Sequence, residues 1–353
     1  MDESPSFPVF SDFAADVCQR VEARLGQLFE RHRTHLAGLD EHLPPLGDAV
    51  FDLTLRGGKR LRAVLVASGL VAASPEADLA PAVRAGAAIE LLQTYFLIHD
   101  DWMDGDTLRR GGPTAHVALA EQLGDARVGE WAAILAGDYA IALAQTELAS
   151  AASAPAVALS ILQQFADIQR DTVCGQFLDV TGAAEYVSDY RLEELKTSTY
   201  SVRGPLVMGA TLGGASQQLL EACNGYGSAL GVAFQLRDDL LGLFGDPRTT
   251  GKPRGNDLIA GKMSSVIRDA LRAANPSERG ALRAVLDRLD SGPDALQRAL
   301  DAVSSSGAVR RSEARIAELS SQAARNLRAE AGFSARGLTY LSQLATRLTD
   351  RTA

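Results

Sequence analysis

Residues 82–104, AVRAGAAIELLQTYFLIHDDWMD, place the strongest constraint on how this chain can fold. Read at 3.6 residues per turn, the run is apolar on nearly every face until Ile98 and shows no strand-like alternation. A helix of this kind is stable only when neighbours cover all its sides. The chain must therefore supply more helices, and they must end near three crowded carboxylates: Asp100, Asp101 and Asp104.

The rest of the sequence supplies them. Helical spacing predicts helices over 11–37, 46–55, 60–73, 78–104, 113–150, 155–182, 189–213 and 216–244, with Pro, Gly or short polar stretches between them. A Gly-, Pro- and charge-rich loop follows at 245–261, and 262–349 reads as four or five amphipathic helices. No strand pattern is evident. With 46% hydrophobic residues and only 6% aromatic, the composition favours helix over sheet. The expectation is one all-α domain over 1–353, with a motif-bearing core of about 46–265 and C-terminal helices over 262–349.

Charge and cysteine content narrow the function classes. A net charge of −9 argues against nucleic-acid or anionic-membrane binding. The three scattered cysteines form neither a metal motif nor a disulfide framework, and the N-terminus lacks the pattern of a signal peptide, so a cytoplasmic protein is expected. No stretch has the roughly 18 uninterrupted apolar residues of a membrane span.

Two acidic clusters close apolar helices. Asp100 and Asp104 are one turn apart and share a face, with Asp101 beside them. Carboxylates this close repel unless a cation lies between them, and a small set of hard oxygen ligands suits Mg²⁺. Asp106 falls past that face and belongs to the turn. The second cluster, FQLRDDLLGLFGD over 234–246, repeats the design with Asp238 and Asp239. Position 242, the equivalent of Asp104, is glycine. Basic residues complement these acids: Lys59, Arg60 and Arg62 in GGKRLR, then Arg109, Arg110, Lys196, Lys252 and Lys262. Arginine's planar fork suits phosphate and lysine adds a point charge, so the set points to a polyphosphate ligand.

These motifs together resemble the trans-isoprenyl diphosphate synthase (polyprenyl synthetase) family. The resemblance covers roughly residues 50 to 265 and rests on GGKRLR (57–62), DDWMDGDTLRRGGPTAH (100–116), GQFLD (175–179), KTSTY (196–200), FQLRDD (234–239) and GKPRGNDLIAGK (251–262), in the family's order. It implies an all-α fold around a deep cavity, a homodimer, and three Mg²⁺ ions per site, with Mn²⁺ as an alternative. It also implies isopentenyl diphosphate and an allylic diphosphate as substrates. By position, Asp100, Asp104 and Asp238 would be the main metal ligands, supported by Asp101 and Asp239. Arg109, Lys196, Lys252 and Lys262 would hold the allylic diphosphate. Lys59, Arg62, Gln93 and Arg110 would hold isopentenyl diphosphate. Thr197, Gln235 and Gln176 would stabilise the developing cation. Gly242 departs from the family's third aspartate, but the second motif relies chiefly on its first acid, so activity is expected to survive.

Product length in this family is set just upstream of the first motif. Tyr95 and Phe96 lie one turn before Asp100 and would floor the cavity, with Ala88, Leu91 and Leu92 one turn deeper. Paired rings resemble farnesyl-type (C15) enzymes, while a single ring fits geranylgeranyl-type (C20) enzymes. C15 is the favoured expectation, C20 the alternative, and C10 is allowed. A non-catalytic subunit of a heteromeric synthase is the competing non-enzyme reading. A terpene cyclase would need an N-D-x-x-S-x-x-x-E motif; Asn256 and Asp257 begin one, but Ala260 and Ser264 break it. His99 reads as a packed, hydrogen-bonded residue.

Overall fold

The computed structural model describes residues 8–187, 190–246, 253–290, 292–328 and 331–349. They are helical nearly throughout, as the periodicity requires. The chain folds into two compact units, each built from several stretches. One comprises residues 1–169, 205–221 and 329–340; the other comprises 170–204, 222–328 and 341–353.

The first unit is built round the buried helix. It contains α1 (Phe10–Leu39), α2 (Pro44–Leu55), α3 (Leu61–Ala73), α4 (Ala80–Asp104), α5 (Ala115–Leu123), α6 (Ala126–Ala149) and α9 (Gly204–Leu212). α4 packs against α6, α3 and α1, and its residues from Ala82 to Ile98 are largely buried. Pro81, the second residue of the helix, and the bond from the Ala80 N–H to Asp78 Oδ1 (3.1 Å) start it. Gly105, at φ +69°, ends it by returning its N–H to Asp101 and Trp102. The expected run 113–150 is two helices, because Gly124 stops α5 and the Asp125 side chain caps α6 by accepting from the Val128 N–H at 3.0 Å.

One strand pair escaped the sequence reading. Leu108–Arg109 (β1) pairs antiparallel with Gly112–Pro113 (β2), in the register Leu108↔Pro113 and Arg109↔Gly112. Arg110 and Gly111 make the turn at φ +51° and +75°, the two left-handed positions a tight hairpin needs. Arginine is an unusual residue for that conformation, so the pattern gave no warning.

The second unit carries the C-terminal part of α7 (Pro155–Val180), the short α8 (Arg191–Glu193), a π-helix over Glu194–Arg203, and most of α10 (Gln217–Phe244). Next come α11 (Asn256–Ile259), α12 (Ser265–Ala273), α13 (Pro276–Leu286), α14 (Pro293–Ser305) and α15 (Ala308–Asn326). α16 (Ala335–Thr349) is divided between the units at Leu341. An Asn275–Glu278 capping box, with both bonds at 3.0 Å, starts α13. At the core of this unit Arg268 and Glu193 form a buried ion pair with two bonds of 2.8 and 3.0 Å.

Candidate active site

In the first unit the acidic motif is the last turn of α4. That turn is the negative end of the helix dipole, where carboxylates are disfavoured by about 0.3–1 kcal/mol each unless a cation offsets them. Asp100 is half-buried and Asp104 exposed. Asp101 is fully buried, and its Oδ1 accepts from Nε of Arg109 at 2.7 Å and also from Nη2. The same Nη2 donates to Asp106 at 2.9 Å. Arg109 is therefore clamped between Asp101 and Asp106, a use of Asp106 that the sequence did not suggest. Burial pushes the Asp101 carboxyl up, and the Arg109 guanidinium pulls it back.

Arg109 is also held from behind. Arg56 Nη1 donates to the Arg109 carbonyl at 3.0 Å while its Nε donates to Asp52 at 3.0 Å. Arg56 was not singled out from sequence. Only its place one residue before GGKRLR hinted at a role.

The glycine loop brings the cations together. Gly57 and Gly58 take φ +79° and +124°, and Arg60 takes +46° at the start of α3. Arg60 is buried against Glu90 at 3.1 Å and Glu22 at 3.4 Å, so it anchors the loop, while Lys59 is exposed and Arg62 half-buried. Arg110 Nη1 donates to the carbonyls of Gly57 (3.1 Å) and Leu53 (3.3 Å). Burial lowers the Arg110 pKa first, and the nearby charges of Arg60, Arg62 and Arg109 lower it further. Such a concentration of positive charge suits a diphosphate. Gln93 is half-buried, two turns before Asp100 on the same face of α4.

In the second unit Gln235, Asp238 and Asp239 share one face of α10. Gln235 Nε2 donates to Asp239 Oδ1 at 2.7 Å, and Ser265 Oγ donates to Oδ2 at 3.2 Å. The first bond commits the amide nitrogen and leaves the Gln235 carbonyl oxygen to point elsewhere. Asp239 is buried, which pushes its carboxyl up to about 8; the charge of Glu193 adds to this and the Gln235 bond opposes it.

Gly242 now has a physical reason. A Cβ at that position would overlap the carboxylate of Asp257, which comes from α11. An acid side chain therefore sits where the sequence lacks one. In the sequence Asp257 stands out only within GKPRGNDLIAGK and as part of the broken cyclase motif, with no role of its own.

Lys196 and Thr197 are in the π-helix, a form that often marks functional sites. Gly175 lets α7 lie directly on this segment, because a side chain there would meet the Lys196 backbone N at 2.8 Å. One turn on, Asp179 is ion-paired with Lys196. The GQFLD motif thus supplies a close approach and a counter-ion as well as the half-buried Gln176. Lys262 is half-buried, and its N–H donates to the Asp257 carbonyl at 2.9 Å. Lys252 lies outside the described residues.

Among the described residues, no three carboxylate, imidazole or thiolate groups converge on one point. The donor set nonetheless fits Mg²⁺. It is all oxygen, it lies at a dipole end that calls for a cation, and buried Asp101 Oδ2 has no hydrogen-bond partner. Within the first unit, these groups can bind a hard divalent ion and hold a diphosphate by arginine and lysine; the second unit has its own carboxylates and a lysine, with amide and hydroxyl oxygens on the same elements.

A sequence model of the polyprenyl synthetase family matches residues 44–303. The chain belongs to that family. It is a prenyltransferase of the short-chain kind. It is similar to a geranylgeranyl diphosphate synthase of Methanosarcina mazei, 36% identical over 244 residues that cover 66% of this chain and 71% of the relative. A geranylfarnesyl diphosphate synthase of Aeropyrum pernix is 32% identical over 280 residues, 76% of this chain and 83% of the relative. The structure of a Corynebacterium glutamicum geranylgeranyl pyrophosphate synthase, solved with isoprenyl diphosphate and magnesium, superposes with a TM-score of 0.87 at 29% identity, covering 95% of this chain and 99% of that one. Among the described residues of this polyprenyl synthetase, no helix is long and apolar enough to cross a membrane.

Proposed function

We propose that the protein condenses isopentenyl diphosphate with allylic diphosphates and stops at the C20 product, geranylgeranyl diphosphate. The observation that carries the length is the placement of Tyr95 and Phe96. Successive helix positions diverge by about 100°. The two rings pack on each other at 5.0 Å and 51°, and Tyr95 turns its ring to His99. With the two positions about 100° apart, one ring, that of Tyr95, is taken as the floor. A single-ring floor fits C20 better than the paired floor first expected for C15. The names of the relatives support the same choice.

In this reading Asp100, Asp104 and Asp238 hold up to three Mg²⁺ ions, which when bound neutralise charge on the leaving diphosphate. Asp101 and Asp239 orient their neighbours: the first fixes Arg109, the second fixes Gln235. Arg109, Lys196, Lys252 and Lys262 grip the allylic diphosphate. Its C–O bond breaks with the electron pair going to that diphosphate. Thr197, Gln235 and Gln176 offer oxygen dipoles to the allylic cation left behind. Lys59, Arg62, Gln93 and Arg110 hold isopentenyl diphosphate so that its double bond attacks the cation. A proton then leaves for the departed diphosphate. The Asp257 carboxylate beside Gly242 supports a working second motif rather than a degenerate subunit.

Self-association belongs to the same proposal. Val128, Trp131 and Leu135 follow one face of α6 at 38%, 51% and 60% exposure, an apolar stripe of the kind a homodimer would cover. The test of the reaction class is its co-substrate requirement. Isopentenyl diphosphate should be consumed only when both an allylic diphosphate and Mg²⁺ are present, and chelation should stop it. A hydrocarbon formed from the allylic diphosphate alone would instead indicate a cyclase.

A further inference from the structure

One contact in the first unit has no role in the reaction described so far. His99, between Ile98 and Asp100, turns away from the acids and into α6. Its Nε2 lies 3.2 Å from the carbonyl of Ile134. A carbonyl only accepts, so Nε2 carries the proton. One turn along α6 is Gly137, and the three atoms nearest to a Cβ built there are all atoms of the His99 ring. Gly137 and the Ile134 carbonyl thus form a socket shaped for that imidazole. On the ring's other side is Tyr95, one turn earlier on α4. The two rings meet edge to face at 4.8 Å and 74°.

We propose that His99 and Gly137 are positioning residues for product length. The socket on α6 fixes the imidazole, and the imidazole fixes the orientation of the Tyr95 ring. The inference rests on the reading that Tyr95 floors the cavity. It adds that the depth of this floor is set from α6, by a residue that does not touch the growing chain. Phe96 packs on the Tyr95 ring at 5.0 Å, and the His99 edge adds a second constraint that comes from α6.

The two positions should act in opposite directions. His99→Ala empties the socket, and Tyr95 can swing into the vacated space. The floor then drops, and the ratio of C25 to C20 product should rise about tenfold or more, the scale on which pockets discriminate by small volume changes. Gly137→Ala drives the imidazole off α6 and towards Tyr95. The floor then rises, and C15 should accumulate at the expense of C20. In the double variant the new methyl enters an empty socket, so its products should match those of His99→Ala within about twofold, the non-additivity of groups that act through one contact.

The readout is the ratio of prenyl alcohols after dephosphorylation. Only folded, active molecules contribute to it, so a partly unfolded variant lowers yield without moving the ratio. If His99→Ala is not recovered as soluble protein, Gly137→Ala carries the test. Tyr95→Ala, run in parallel, should also lengthen the product. Lengthening by Tyr95→Ala with wild-type ratios in both His99→Ala and Gly137→Ala would overturn the inference while leaving the floor in place. Unchanged products from Tyr95→Ala would overturn the floor, and the inference with it.

Discussion

Replacing Asp100 or Asp104 by alanine is expected to lower kcat by at least about a hundredfold, or about 2.7 kcal/mol of transition-state stabilisation. These acids sit at the negative end of α4, where a helix gains nothing from them. Their charge is useful only when a cation and a diphosphate arrive. Asp104 is exposed, so its loss should change folding stability by no more than about 0.5 kcal/mol. Thermal unfolding and steady-state rates, measured on the same preparation, should therefore separate: a near-native midpoint with little turnover. Asp101→Ala should behave differently. It frees Arg109 from its clamp and leaves a hole at a fully buried position, so both stability and activity should fall. Full activity in Asp104→Ala would remove the first motif from the metal site.

The largest expected effect on stability is at Arg268. Its guanidinium gives Glu193 two bonds, donates to the Met263 carbonyl at 2.8 Å, and is itself buried. Arg268→Ala leaves Glu193 as an uncompensated buried charge, which costs about 3–5 kcal/mol. The loss should depend on pH, with a definite sign. Burial raises the Glu193 pKa above its ordinary value of 4.5, and Arg268 opposes that rise. A carboxyl raised in the folded state binds its proton more tightly there. Its protonation therefore favours folding, increasingly so as pH falls through the raised value, and fully below about 4.5. Without Arg268 the folded value climbs further. The difference in stability between variant and wild type should thus be largest near neutrality and shrink towards pH 5. Urea midpoints at several pH values measure it. A deficit that stays constant across that range would mean that Glu193 is not the cause. Arg268→Met with Glu193→Leu should recover most of the loss, because an apolar pair of similar size has no charge to desolvate.

The long helix and both acidic motifs were legible in the sequence because each is a local pattern. An all-round apolar run must be buried, and acids at its end must meet a cation. The basic loop was legible in part. Lys59, Arg60 and Arg62 read as one set, yet Arg60 points inward. The clue was Glu90, a lone acid in the apolar run AAIELLQ, which needs a buried cation. What escaped is tertiary. Nothing local announces that the Asp257 carboxylate lies against Gly242, or that Asp179 pairs with Lys196. The π-helix has no propensity signature of its own. It lies beneath Gly175 of α7, and a side chain at Gly231 of α10 would meet Ser198. The hairpin at 108–113 was missed because Arg110 takes a backbone conformation usually left to glycine or asparagine.

The identity of the final product decides where chain growth stops. The purified protein is given Mg²⁺, isopentenyl diphosphate and, in separate reactions, C5, C10 and C15 allylic diphosphates. The alcohols released by phosphatase are then identified by mass. All three primers, the C15 primer included, should yield the C20 alcohol with little C25. Accumulation of C15 from the shorter primers, with the C15 primer left unextended, would contradict this and restore the paired-ring floor.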